Sequence, residues 1–152
     1  MGGIRAREIR SVLFQPAQMM GGSRELLMQN RKLILIVDDD PDFLSSLKAV
    51  MESNGFMVFA AGSGSEGMRL FNEHAPDLVL CDIMMEKIDS GIRLVREIRE
   101  RNKYVPVYLL SDIGGLTAAN IDIHRIGCNG SLQKPCNPGV LLRIVRQEME
   151  KN

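Results

Sequence analysis

The chain has 152 residues, 45% of them hydrophobic and 25% charged, which fits one soluble domain with an ordinary core and at most a tail. Lys+Arg and Asp+Glu are equal at 19 each, so no global field favours nucleic acid or an acidic membrane surface. Aromatics are 5% with no Trp, and no apolar run is long enough to span a bilayer, which argues against base-stacking platforms and membrane insertion.

Residues 1–31 stand apart from the rest. They carry Arg5, Arg7, Arg10, Arg24 and Arg31 against Glu8 and Glu25, and Gly2-Gly3, Pro16 and Gly21-Gly22 interrupt them. No apolar core of a secretory signal is present. The segment reads as a basic, flexible tail, with room for a short helix around Ala6–Gln15, or translation begins at Met28. Residues 32–152 form the expected domain.

From Leu33 the pattern alternates strand and helix. Leu33–Val37 is wholly apolar, as expected of a strand covered on both faces. Asp40-Pro41 starts a helix, with Asp as cap and Pro at the first helical position. Phe43, Leu44, Leu47, Val50 and Met51 repeat at helical spacing, and Asn54-Gly55 closes it. Phe56–Ala60 is a second strand. Ser65 is read as the cap of a helix carrying Met68, Leu70 and Phe71, which ends near His74 before Pro76.

Leu78–Cys81 is a third apolar strand, followed by a loop through Asp89-Ser90-Gly91. Ile92–Arg101 is helical, with Ile92, Leu94, Val95 and Ile98 inward. Val105–Leu110 is the fourth strand, Leu116–Ile126 a weaker helix ended by Gly127, and Ser131–Gln133 a short fifth strand. Asn137-Pro138 opens a last helix with Leu141, Leu142, Ile144 and Val145 as its apolar face. Five βα units predict an α/β fold, a three-layer, doubly wound, five-stranded parallel sheet, because right-handed crossovers place helices on both faces. Ligands in such sheets bind beyond the carboxyl ends of the strands.

Four motifs fall at those strand ends: Ile36-Val37-Asp38-Asp39, Cys81-Asp82-Ile83-Met84, Leu109-Leu110-Ser111 and Gln133-Lys134-Pro135. If the strands are parallel, three carboxylates, a hydroxyl and an ammonium converge on one edge. That set suits a divalent cation beside a phosphoryl group carried on an aspartate. A carboxylate and a phosphate repel, so a cation must offset their charge. The transfer itself depends mainly on positioning and charge stabilisation. Each motif alone has a bland explanation as a helix cap, a loop hydroxyl or a solvated turn; their joint occurrence at four strand ends does not. His74 and His124 lie outside the motifs. Cys81, Cys128 and Cys136 are odd in number with no Cys-x-x-Cys, so they are expected as small core hydrophobes in a reducing, cytoplasmic setting.

From about Leu33 to Met149 these features resemble the receiver domain of bacterial two-component response regulators, the CheY-like superfamily. The resemblance implies strand order 2-1-3-4-5 and a role for each residue. Asp82 matches the phospho-acceptor. Asp38, Asp39, Asp82 and the Met84 backbone carbonyl match the Mg²⁺ site. Ser111 matches the hydroxyl that bonds the phosphoryl group, and Lys134 the lysine that pairs with it. It also implies a cis peptide before Pro135, a sensor histidine kinase or histidine phosphotransferase as donor, and an unknown downstream protein as reader. No direct binding of nucleic acid and no enzymatic activity beyond self-phosphorylation and autodephosphorylation are expected.

The chain departs from the family pattern in four places. The loop after Asp82 has Glu86 for the usual Pro and one extra residue before Gly91. Asp112 replaces a small residue after Ser111; it would repel a donor, bind extra cation or cap the next helix. Ser131 stands where many receivers carry an aromatic switch residue. Nothing follows the last helix, so a stand-alone receiver is expected. Two rivals remain: a non-switching docking module, motivated by Asp112 and Ser131, and a haloacid-dehalogenase-like phosphatase, motivated by Asp38-x-Asp40.

Overall fold

A computed structural model describes residues 31–85, 89–112 and 122–151. Five parallel strands form one sheet in the order β2-β1-β3-β4-β5. They are β1 (Leu33–Val37), β2 (Met57–Ala61), β3 (Leu78–Asp82), β4 (Val107–Ser111) and β5 (Gly130–Gln133). The helices are α1 (Pro41–Ser53), α2 (Gly64–His74), α3 (Ser90–Arg101), α4 (Ile123–Ile126) and α5 (Pro138–Glu150). The expected strand order and three layers are therefore present.

Alternation along the strands sorts the core into two halves. Leu35, Val37, Val79, Cys81, Val107 and Leu109 pack with Met68, Leu70 and Phe71 of α2 and Leu94, Val95 and Ile98 of α3. Ile34, Ile36, Leu78, Leu80 and Leu110 pack with Leu47 and Met51 of α1 and Leu141, Val145 and Met149 of α5. All five residues of β1 and of β3 are buried. Continuous apolar runs are what a centre covered on both faces requires, and each fully buried Leu or Ile contributes roughly 1.5–3 kcal/mol. No helix among the described residues is long and apolar enough to cross a membrane.

The caps mostly follow the sequence. Asp40 accepts the N–H groups of Asp42 and Phe43, and Asn137 those of Gly139 and Val140; Pro occupies the first turn of both helices. α2 is a correction. Its cap is Ser63, not Ser65: Ser63 Oγ accepts the Glu66 N–H at 3.2 Å, and Glu66 Oε2 accepts the Gly62 N–H at 3.0 Å. The reciprocal Ser-x-x-Glu arrangement outweighs the nearer serine.

Several boundaries also shift. β2 begins one residue later and β3 extends to Asp82. β4 starts at Val107 and ends at Ser111 rather than running Val105–Leu110; Pro106, with no N–H to donate, precedes its ladder. β5 begins at Gly130, and α3 begins at Ser90. The expected helix Leu116–Ile126 is observed over Ile123–Ile126, its earlier part lying outside the described residues, as do residues 1–30. Gly127 ends it with φ +107°, a conformation that favours glycine.

Candidate functional site

The four motifs meet at the carboxyl edge of the sheet. Asp38 follows β1 and is fastened there by its N–H to the Ala61 carbonyl. Asp82 is the last residue of the neighbouring β3. Ser111 ends β4 and is buried; its carbonyl accepts the Lys134 N–H at 2.7 Å, which sets Lys134 just past β5. The peptide between Lys134 and Pro135 is cis, as expected.

Gly91 belongs to this edge too. Its N–H donates to the Ile83 carbonyl at 3.1 Å. A Cβ there would collide with the Asp82 carbonyl and lie 2.7 Å from Ile83 Cα. Only glycine lets the start of α3 press against the segment that leaves Asp82.

Carboxylate oxygens of Asp38, Asp39 and Asp82 all lie within 4.8 Å of one another. Asp38 is fully buried and Asp82 nearly so, while Asp39 is exposed. Asp38 Oδ1 accepts the Asp40 N–H at 2.9 Å. Asp38 Oδ2 is paired with the Lys134 ammonium. Lys134 Nζ stands 3.5 Å from Asp82 Oδ2. Among the described residues three clustered carboxylates face one ammonium, which leaves an excess of negative charge. A small divalent cation, which prefers hard oxygen donors, fits this set.

Electrostatics follow from that crowding. Burial first, then the Asp38 carboxylate, push Asp82 up from 3.8 to about 6, while Lys134 and the Met84 N–H, which donates to Asp82, pull against the rise. Burial draws Lys134 down, but its hydrogen bond to Asp38 and the charges of Asp82 and Asp38 outweigh that and leave its pKa raised. Lys134 is therefore an ammonium at neutral pH, and Asp82 titrates within reach of it.

Met84 lies two residues beyond Asp82 with an exposed side chain. Asp112 is exposed; residues 113–121, where a helix that it could cap was expected to start, lie outside the described residues, and so do Glu86, Lys87 and Ile88 of the altered loop. Ser131 is exposed on β5. Asp40 is turned to capping α1, away from the paired-aspartate role that the phosphatase reading needs. Cys81 and Cys128 are buried thiols, but Cys136 is only half-buried. Burial raises Cys128 to about 11.

Phe43 is the residue that the sequence hid. Its ring centroid lies 4.4 Å from Lys134 Nζ. Helical spacing had placed it on a core face, and nothing in the local pattern links it to a lysine 91 positions away in the chain.

Residues 34–146 match the model of the response regulator receiver domain. Response regulator Rre1 of Synechocystis is 35% identical over 116 residues, covering 74% of this chain and 49% of that protein. The transcriptional regulatory protein GlrR of Escherichia coli is 33% identical over 119 residues, covering 78% of this chain and 26% of that protein. The chain thus spans half or less of these two relatives. A response regulator receiver domain from Clostridium thermocellum superposes with a TM-score of 0.72 at 30% identity, covering 79% of this chain and 95% of that one.

Proposed function

The chain belongs to the response regulator receiver family, and from that premise we propose that it works in a phosphorelay by accepting a phosphoryl group on Asp82. The observation that carries this reading is the position of Asp82: a buried carboxylate at a strand end, within 4.8 Å of two other carboxylates and 3.5 Å from an ammonium.

In this reading an Asp82 carboxylate oxygen attacks the donor phosphorus. A new P–O bond forms as the bond to the donor's histidine nitrogen or acyl oxygen breaks, and the electron pair leaves with the donor. Asp38, Asp39 and Asp82, with the Met84 carbonyl, would hold Mg²⁺. The cation supplies neutralisation of the carboxylates and of the phosphoryl oxygens. Lys134 balances the added charge. Ser111, buried one strand away, hydrogen-bonds the phosphoryl group, and its movement changes the face built from α4, β5 and α5. The donor is a sensor histidine kinase or a histidine phosphotransferase. The protein turns over no diffusible substrate of its own.

The deciding experiment is intact-protein mass after incubation with acetyl phosphate and Mg²⁺. The wild type gains one phosphoryl group and Asp82→Asn gains none. A second reading, a docking module that no longer switches, is favoured by Ser131, whose exposed place on β5 offers no ring to turn inward. Absence of the mass gain with both acetyl phosphate and a phosphohistidine donor would establish that reading instead.

A further inference from the structure

Phe43 stands in the first turn of α1, half-buried, packed on the core half formed with α5. Its N–H donates to Asp40 Oδ1 at 3.3 Å, so the cap that starts α1 also fixes where the ring stands. The Lys134 ammonium lies 4.4 Å from the ring centroid, is ion-paired with Asp38, and is 3.5 Å from Asp82. Two carboxylates and an aromatic ring thus share one cation.

Lys134 needs such help. A lysine ammonium is strongly hydrated and rides on a flexible four-carbon stem. β5 is short and only half-covered, so the strand fixes the Lys134 backbone and leaves the stem free to swing. Yet the Lys134 side chain is only 15% exposed. An aromatic ring attracts a cation, more strongly where water is excluded, and it presents no hydrogen-bond acceptor that would compete with a phosphoryl group.

We infer that Phe43 is a positioning residue for Lys134: its ring holds the ammonium at the acidic cluster, so that the charge is in place when a phosphoryl group reaches Asp82. The inference rests on the phospho-acceptor reading of Asp82. A leucine at position 43 would keep the apolar helix face and lose the aromatic one. A tyrosine would keep both.

The test compares wild type, Phe43→Leu and Phe43→Tyr in two measurements. The first is NMR of the Lys134 ε-methylene in protein with ¹³C-labelled lysine. A ring at this distance shifts those protons upfield; the shift should persist in Phe43→Tyr and vanish in Phe43→Leu. The second is the rate of mass gain from acetyl phosphate at saturating Mg²⁺, a donor that needs no protein docking. Phe43→Leu should be slower by several-fold to about tenfold, the range of a partly desolvated cation–π contact, and Phe43→Tyr should stay within about twofold of wild type. Equal rates in Phe43→Leu and wild type would overturn the inference. So would equal slowing in both variants, which would make position 43 a packing site, or a wild-type methylene with no upfield shift. A wild type that takes up no phosphoryl group would overturn the acceptor reading and, with it, any role of Phe43 in transfer.

Discussion

Arg99 at the amino edge of the sheet and Lys134 at its carboxyl edge are both half-buried cations, and their surroundings differ in kind. Arg99 donates to four oxygens at once: the carbonyls of Gly127 (2.7 Å), Asn102 (3.2 Å) and Val105 (2.7 Å), and Asn129 Oδ1 (3.0 Å). Asn129 Oδ1 also takes the first N–H of β4, and Asn102 Oδ1 those of Tyr104 and Val105. At the same edge Asp77 Oδ2 accepts the Leu33 N–H at 2.8 Å. At the other edge, among the described residues, three carboxylates face one ammonium. One edge spends its polar groups on closing the fold, while the other keeps negative charge unbalanced where a bound cation would offset it.

The comparison predicts that function and stability separate by edge. The largest expected effect is on function. Asp82→Asn removes all phosphoryl uptake from acetyl phosphate, read by intact mass, with urea stability equal to or above wild type. Removing one of two repelling carboxylates relieves the site. A marked loss of stability in Asp82→Asn would break the comparison.

Arg99→Leu is the counterpart at the amino edge. It takes a donor from four oxygens; Asn129 Oδ1 keeps the Val107 N–H, but those at Gly127 and Val105 lie in half-buried bonds. The expected cost is about 3 kcal/mol by urea unfolding, with phosphoryl uptake retained below the melting temperature. Uptake lost while the fold persists would mean that the two edges are coupled.

A pH series sharpens the contrast. Asp82 sits at about 6 in the folded chain against an ordinary 3.8, so the folded state holds that proton more tightly than the unfolded one. The stability this contributes is complete below the unfolded value and is lost as pH rises through about 6. The stability of wild type minus that of Asp82→Asn should therefore fall across this window, by roughly 3 kcal/mol in metal-free protein. Added Mg²⁺ at neutral pH should reverse the fall and raise the melting temperature, because it binds the ionised cluster.

How much of this the sequence carried follows from the range of each interaction. β1 and β3 were legible because burial on both faces leaves a continuous apolar run, and the caps Asp40 and Asn137 because a cap acts within three residues. Asp38, Asp82, Ser111 and Lys134 were legible as strand-end residues, since parallel strands bring their ends together. Ser63 was missed because two serines compete within three positions and only the reach of Glu66 decides between them. Phe43 and Arg99 were illegible for a common reason. Each looks locally like a helix residue of ordinary kind, and its partner lies on an element far along the chain.

The smallest effect comes from making the same change at both edges. Asp77→Asn retains an oxygen for the Leu33 N–H, so it should cost no more than about 1 kcal/mol and leave Mg²⁺ affinity unchanged. Asp38→Asn also retains an oxygen, for the Asp40 N–H, so backbone bonding alone would predict the same small outcome. The cluster argument predicts otherwise. Asp38 supplies a charge that a cation would use and that Asp82 repels, so the variant should bind Mg²⁺ at least tenfold more weakly, about 1.4 kcal/mol, while the metal-free protein unfolds at the same or a higher urea concentration. If isothermal titration showed equal Mg²⁺ binding in the two variants, the carboxyl edge would be no more specialised for charge than the amino edge, and the cation site would have to be sought elsewhere.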